Sequence, residues 1–339
     1  MSVEWIIPFA VGIVSLLGTG WLAHFLRRRG MMDNPNERSS HKIPTPRGGG
    51  LAPVCALFLG LGAASTAGTT NLTPMFFAAW AMVIAVGLID DKLDLSAKIR
   101  MAVHVGAAVL VVINCGPMNF IPLPAPIYRD FQWFAYPMTF LWLIGVLNLY
   151  NFLDGIDGFA GTQALWVGLG VALILGQPMI GACIAAAALG FLVHNWHPAK
   201  IFMGDVGSAS LGFLFACLPF YLRPTMVAES IFVMAMLLWF FLADGTFTIL
   251  RRLSKGEKIW QAHRSHLYQR LTIAGRSHGQ VVLLVAMLQA ALFAVLVWSG
   301  LSLDTHAWLV AVTALGLFGI YWAWVVREEK SQDTVPAKA

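Results

Sequence analysis

WFAYPMTFLWLIGVLNLYNFLDGIDGFAG, from Trp133 to Gly161, decides how the whole chain is read. Trp133 to Leu153 carries no charged side chain, and a helix of that length, at 1.5 Å per residue, reaches across a hydrocarbon core of about 30 Å. Where the apolar run stops, Asp154 and Asp157 arrive together, flanked by Gly155 and Gly158. An acid at the centre of a membrane helix costs about 2.5–3.5 kcal/mol, so acids beside such a run belong at its end, near water, and need a use there.

The rest of the chain has the same character. Of its 339 residues, 58% are hydrophobic and only 12% charged, with a mean hydropathy of +0.72, whereas soluble domains carry about 25% charged residues. Apolar runs bounded by polar, Gly or Pro residues fall at 3–26, 49–66, 74–90, 99–114, 133–151, 159–176, 178–195, 206–222, 228–250, 280–300 and 306–326. They predict an all-α fold, a polytopic integral membrane helical bundle of about 11 transmembrane helices. One membrane-embedded domain is expected over 1–326, with a disordered cytoplasmic tail over 327–339. The first run follows Glu4 and has no cleavage pattern behind it, so it reads as an anchor.

Orientation follows from charge. With the amino terminus on the periplasmic side, 20 of the 22 Lys and Arg residues fall in inner loops, the exceptions being Arg129 and Arg223. The net charge of +5 is accounted for in this way and implies no nucleic acid. The four cysteines are far apart with no CxxC pair, and read as small hydrophobes.

In this layout Asp90, Asp91, Asp94, Asp154, Asp157, Asp205 and Asp244 all come to inner helix ends, although they span more than half the chain. Asn148, Asn151 and Asp154 are three apart, along one helix face. Separate acidic clusters on one side of the bilayer make an oxygen cage for Mg²⁺, with Mn²⁺ able to substitute. A lone Asp would be read as a helix cap, but three clusters bordering a membrane core would not.

Basic loops share that face. In RSSHKIPTPRGGG, from Arg38 to Gly50, two prolines prevent a helix. Three glycines there would let backbone N–H groups approach a phosphate, and His41, Lys42 and Arg47 add charge. QAHRSHLYQRL, from Gln261 to Leu271, contributes His263, Arg264 and His266. No third ligand at zinc spacing accompanies these histidines, so a phosphate-contacting loop fits better than a metal pair. His194 and His197, beside Asn195, read equally as interfacial residues. Acids, a metal and cations on one face are what phosphoryl transfer requires.

KIPTPRGGG, GLIDDKLDLSAKIR, NLYNFLDGIDGFAG and NWHPAKIFMGDVGSASLG occur in this order. Together they resemble the polyprenyl-phosphate N-acetylhexosamine-1-phosphate transferases, of glycosyltransferase family 4 type. NERSSHKIPTPRGGG is most similar to the O-antigen-initiating branch. The resemblance implies transfer of an N-acetylated sugar 1-phosphate from a UDP-N-acetylhexosamine to undecaprenyl phosphate, with UMP released. The setting it implies is the bacterial inner membrane, with the catalytic loops cytoplasmic. It further implies Asp90 and Asp91 as an acidic pair, Asn151, Asp154 and Asp157 as a second motif, and Asp205 with Asp91 as metal ligands. Asn195 and Phe202 would meet the uracil, and Lys42 and Lys98 phosphate. The family's HxHH loop is only partly present: His266 is followed by Leu267, Tyr268 and Gln269, which leaves the donor sugar open.

Direct attack by the lipid phosphate on the sugar-bearing phosphorus is the expected route, with Asp90 or Asp91 orienting the phosphate and taking its proton. A covalent aspartyl-phosphate is the rival. An ion-coupled transporter is the alternative class, although transporters hold their acids near mid-membrane in paired broken helices. A homo-oligomer is compatible with the sequence.

Overall fold

The computed structural model describes residues 5–35, 40–41, 43–118, 132–258, 263–300 and 306–333. Among them lie thirteen α-helices and one pair of two-residue strands. The helices are α1 (Ile6–Arg28), α2 (Leu51–Thr66), α3 (Pro74–Leu93), α4 (Ala97–Cys115), α5 (Ala135–Leu153), α6 (Phe159–Leu173) and α7 (Pro178–Asn195). They continue with α8 (Asp205–Leu222), α9 (Val227–Leu237), α10 (Trp239–Ser254), α11 (Leu267–Ile273), α12 (His278–Ser299) and α13 (Ala307–Asp333). The protein is a polytopic helical membrane protein. Eight of these helices are long and apolar enough to cross a bilayer, and the bent pair α9–α10 brings the number to nine.

The expected count of about eleven differs for a reason of length. Each expected run does form a helix, but α2 and α6 have 16 and 15 residues, about 24 and 22 Å at 1.5 Å per residue, short of the hydrocarbon core. The run at 228–250 is bent by 79° between Leu237 and Trp239. A break in a membrane helix leaves carbonyls without partners, which must be satisfied inside the protein. Here the Gln163 amide donates to the Leu237 carbonyl (2.5 Å) and the Gln289 amide to that of Met236 (3.2 Å). We expect Gln163→Leu to destabilise the protein by about 1–3 kcal/mol, the cost of an unpaired buried polar group, read by unfolding in detergent.

Helix starts follow local chemistry. The Thr73 hydroxyl accepts the Phe76 N–H with Pro74 in the first turn of α3, and Ser277 and Gln280 cap α12 reciprocally. At the centre stands α8, every residue of which is buried, packed between α3 and α5 with α2 and α9 alongside. The strands Met32–Asp33 (β1) and Thr45–Pro46 (β2) pair antiparallel, Asp33 opposite Thr45. They carry the segment before α2 over the start of α8, where Arg47 bridges to Phe202.

Helix continues past the expected start of the tail at 327, as far as Asp333. Glu329 accepts from Arg270 Nε (2.6 Å) and Glu328 from Arg276 (2.7 Å), holding this end of α13 against α11 and the start of α12. Residues 334–339 lie outside the described residues.

Candidate active site

The amino-terminal end of α8 is the frame of the site, and close backbone approach builds it. Gly204, at φ +75°, precedes Asp205 in a conformation that side-chain-bearing residues rarely adopt. A Cβ on Gly50 would lie 2.4 Å from the Cα of Gly207, so only glycine lets the loop before α2 pack there. The N–H groups of Gly48 and Gly49 donate to the Phe202 carbonyl, and that of Gly50 to Met203. This corrects the expectation for the triple glycine: its N–H groups are used on the protein's own backbone, and its role is helix packing.

On this frame the carboxylates converge. Both Asp91 oxygens accept backbone N–H groups at the start of α8, Oδ1 from Asp205 (2.9 Å) and Oδ2 from Val206 (3.0 Å), and Arg47 Nε lies 3.1 Å from Oδ1. Asp205 stands between two arginines, Arg47 at 2.6 Å and Arg100 at 3.0 Å. Arg100 also pairs with Asp90 at 2.7 Å, whose other oxygen accepts the Leu95 N–H. Four segments, the loop before α2, the end of α3 and the starts of α4 and α8, are thereby tied into one alternating network of three carboxylates and two guanidiniums.

A cavity of about 350 Å³ opens beside this network, lined by Arg47, Asn151, Asp154, Asp157, Asn195, Phe202 and Asp205, with His41, Gln269 and His278. Within it two carboxylates differ in environment. Burial, together with the nearby charges of Asp205, Asp91 and Asp157, pushes Asp154 up to about 7. Burial would raise Asp157 too, but hydrogen bonds from His278 and His197 outweigh it and hold this carboxyl below the usual range. The bonds to Asp157 gather on Oδ2, which meets His197 Nδ1 at 2.7 Å and the Ala199 N–H at 3.2 Å. Carboxyls pushed apart in this way at one site are the pattern of acid–base and ion-binding centres.

The remaining expected residues are placed as follows. Asn195 lines the cavity while its amide spans the Gly158 N–H (3.0 Å) and the Ile201 carbonyl (2.9 Å). Phe202 packs against His41, ring centroids 4.7 Å apart. Lys98 is exposed and does not line the cavity. Lys42 lies outside the described residues. His266 is buried beside Asp244, Nδ1 to Oδ1 3.4 Å, away from the cavity wall. The His263 ring lies tilted against that of His266, centroids 4.9 Å apart, and burial, with the charges of His266 and Arg252, lowers it to about 4. Arg264 lines an adjoining cavity of about 590 Å³, which shares His41, Asp157, Phe202 and His278 with the first.

Three participants were not anticipated. Arg100 read only as an inner-loop charge, and His278 bore no motif. Asp244 was read only as an acid at an inner helix end, yet its carboxylate accepts the N–H groups of Leu267 (2.8 Å) and Tyr268 (3.2 Å). It fixes the start of α11 and so aims Gln269 at the cavity.

The cavity is acidic and oxygen-rich, with Arg47 on its wall and Arg100 paired with Asp205 beside it, at one end of a membrane bundle. A family model described as glycosyl transferase family 4 matches residues 73–223, which include all five converging aspartates. The chain is 33% identical over 296 residues to the "Probable undecaprenyl-phosphate N-acetylglucosaminyl 1-phosphate transferase" of Bacillus subtilis, covering 84% of this chain and 81% of that protein. It is 30% identical over 321 residues to the decaprenyl-phosphate N-acetylglucosaminephosphotransferase of Mycobacterium tuberculosis, covering 83% and 78%. With a phospho-N-acetylmuramoyl-pentapeptide-transferase of Synechococcus it shares 29% over 314 residues, covering 81% and 86%. The chain belongs to glycosyl transferase family 4, within the polyprenyl-phosphate N-acetylhexosamine-1-phosphate transferases.

Proposed function

We propose that this protein transfers an N-acetylated sugar 1-phosphate from a UDP-sugar to undecaprenyl phosphate at the cytoplasmic face of a bacterial inner membrane, starting O-antigen or a related surface polysaccharide. The convergence of Asp90, Asp91, Asp154, Asp157 and Asp205 with Arg47 and Arg100 at one end of the bundle carries this reading. The twenty-to-two distribution of basic residues supports the cytoplasmic face. An ion-coupled transporter would hold its acids near mid-membrane, and the relatives are transferases.

An oxygen of the lipid phosphate attacks the sugar-bearing phosphorus, a new P–O bond forms, the bond to UMP breaks, and the electron pair leaves with UMP. Arg47 and Arg100 offset the charge of the approaching phosphates; unit charges 4 Å apart repel by about 4 kcal/mol at an effective dielectric of 20. If the lipid phosphate arrives monoprotonated, Asp154 is the group suited to take the proton near neutral pH. Asp91, with both oxygens engaged, orients the start of α8 so that Asp205 faces the cavity. The donor set is all oxygen and five carboxylates face two guanidiniums, which fits Mg²⁺. Asp205 would hold it, and when bound it supplies charge neutralisation and polarisation of the diphosphate.

The test is UMP release by the purified protein from a panel of UDP-N-acetylhexosamines, with lipid products analysed by mass. Release that requires both undecaprenyl phosphate and Mg²⁺, with a matching lipid diphosphosugar, is expected. No lipid-dependent release from any donor would reject the assignment.

A further inference from the structure

We propose that Asp157, His197 and His278 form a second metal site, suited to zinc-type divalent ions and chemically distinct from the all-oxygen site at Asp205. The three come from separate places: the α5–α6 turn, the segment after α7, and the first residue of α12. His197 Nδ1 lies 2.7 Å and His278 Nδ1 3.3 Å from Asp157 Oδ2, and the three donor atoms are all within 4.8 Å of one another. Ligand atoms about 2.0–2.2 Å from a tetrahedral ion stand roughly 3.3–3.6 Å apart, so small side-chain shifts complete the geometry.

A second observation points the same way. His278 Nε2 lies 3.2 Å from the Ser40 carbonyl and donates to it, and Nδ1 lies 3.3 Å from both the backbone N and the Oδ2 of Asp157. The ring is therefore held with Nδ1 turned toward Asp157. Metal-bound histidines use just such an outer bond to a carbonyl to fix the ligating nitrogen. All three residues also line the cavity of about 590 Å³, which gives an ion an entry path and a water a fourth position. Two imidazoles and one carboxylate favour zinc, cobalt or nickel over Mg²⁺. Binding displaces the proton that His197 shares with Asp157 and ties up Asp157 Oδ2. Such an ion would therefore oppose whatever chemistry Asp157 serves.

The rival is a purely hydrogen-bonded cluster that orients Asp157 and binds no metal. Co²⁺ titration of the full-length, metal-stripped protein in detergent, under saturating Mg²⁺, separates the two without reading turnover, and so stands apart from the transferase assignment. We expect one Co²⁺ per chain with the visible absorption of a four-coordinate site, displaced by Zn²⁺ and not by further Mg²⁺. His197→Ala, at a side chain 38% exposed and so of little risk to folding, should weaken Co²⁺ binding at least tenfold. His278→Asn should do the same, and His263→Ala should leave it unchanged. Absence of the absorption, its loss to Mg²⁺, or insensitivity to His197→Ala would overturn the site.

Discussion

Asp205→Asn is expected to lower kcat/KM for lipid-dependent UMP release about 10³-fold, with the protein still folded. Asp205 is the only carboxylate in contact with both Arg47 and Arg100 among the described residues, and it stands at the first turn of the buried helix α8. Asparagine preserves its shape and one acceptor oxygen but removes the charge. In the proposed reaction that charge holds Mg²⁺, and loss of such stabilisation amounts to several kcal/mol, each 1.4 kcal/mol being tenfold in rate. The same substitution leaves two guanidiniums with less to neutralise, so sensitivity to Mg²⁺ concentration should fall along with the rate. A variant that retained a tenth or more of wild-type kcat/KM at every Mg²⁺ concentration would remove Asp205 from the centre.

The second large effect concerns pH. Asp154 has a carboxyl raised from 3.8 to about 7, by burial first and then by neighbouring carboxylates. Between those values the folded state binds a proton that the unfolded chain does not, so stability falls as pH rises through this window. At about 1.4 kcal/mol per pH unit the contribution lost is about 4 kcal/mol. In Mg²⁺-free detergent, wild-type protein should therefore lose stability from pH 5 to pH 8 relative to Asp154→Asn, in which nothing titrates at this position. Mg²⁺ should flatten the wild-type profile by favouring the ionised form. Parallel profiles for the two proteins would show that Asp154 titrates normally.

Much of the bundle was legible because an uncharged run of about 20 residues has one economical solution in lipid. The break at Leu238 was not, since the amides that satisfy it, Gln163 and Gln289, come from distant helices. The converging aspartates were legible for the same reason as the helices: acids bordering apolar runs are costly and must be gathered somewhere polar. Which cation meets them was not. Lys98 and Arg100 sit two residues apart in the first turn of α4, about 200° around the helix, and only the position of α8 reveals that Arg100 faces inward. The triple glycine signalled close approach, yet composition could not say whether a ligand or α8 would come near. His278 lies far from every acidic motif in sequence, and its tie to Asp157 exists only in three dimensions.

The complete enclosure of α8 carries a mechanical consequence. Thinning or thickening of the bilayer acts on the outer helices, which can tilt or slide to absorb the mismatch. Asp205, mounted on this sheathed inner post, is shielded from that deformation. Turnover should therefore vary little across vesicles of different acyl-chain length, so long as the outer ring stays assembled.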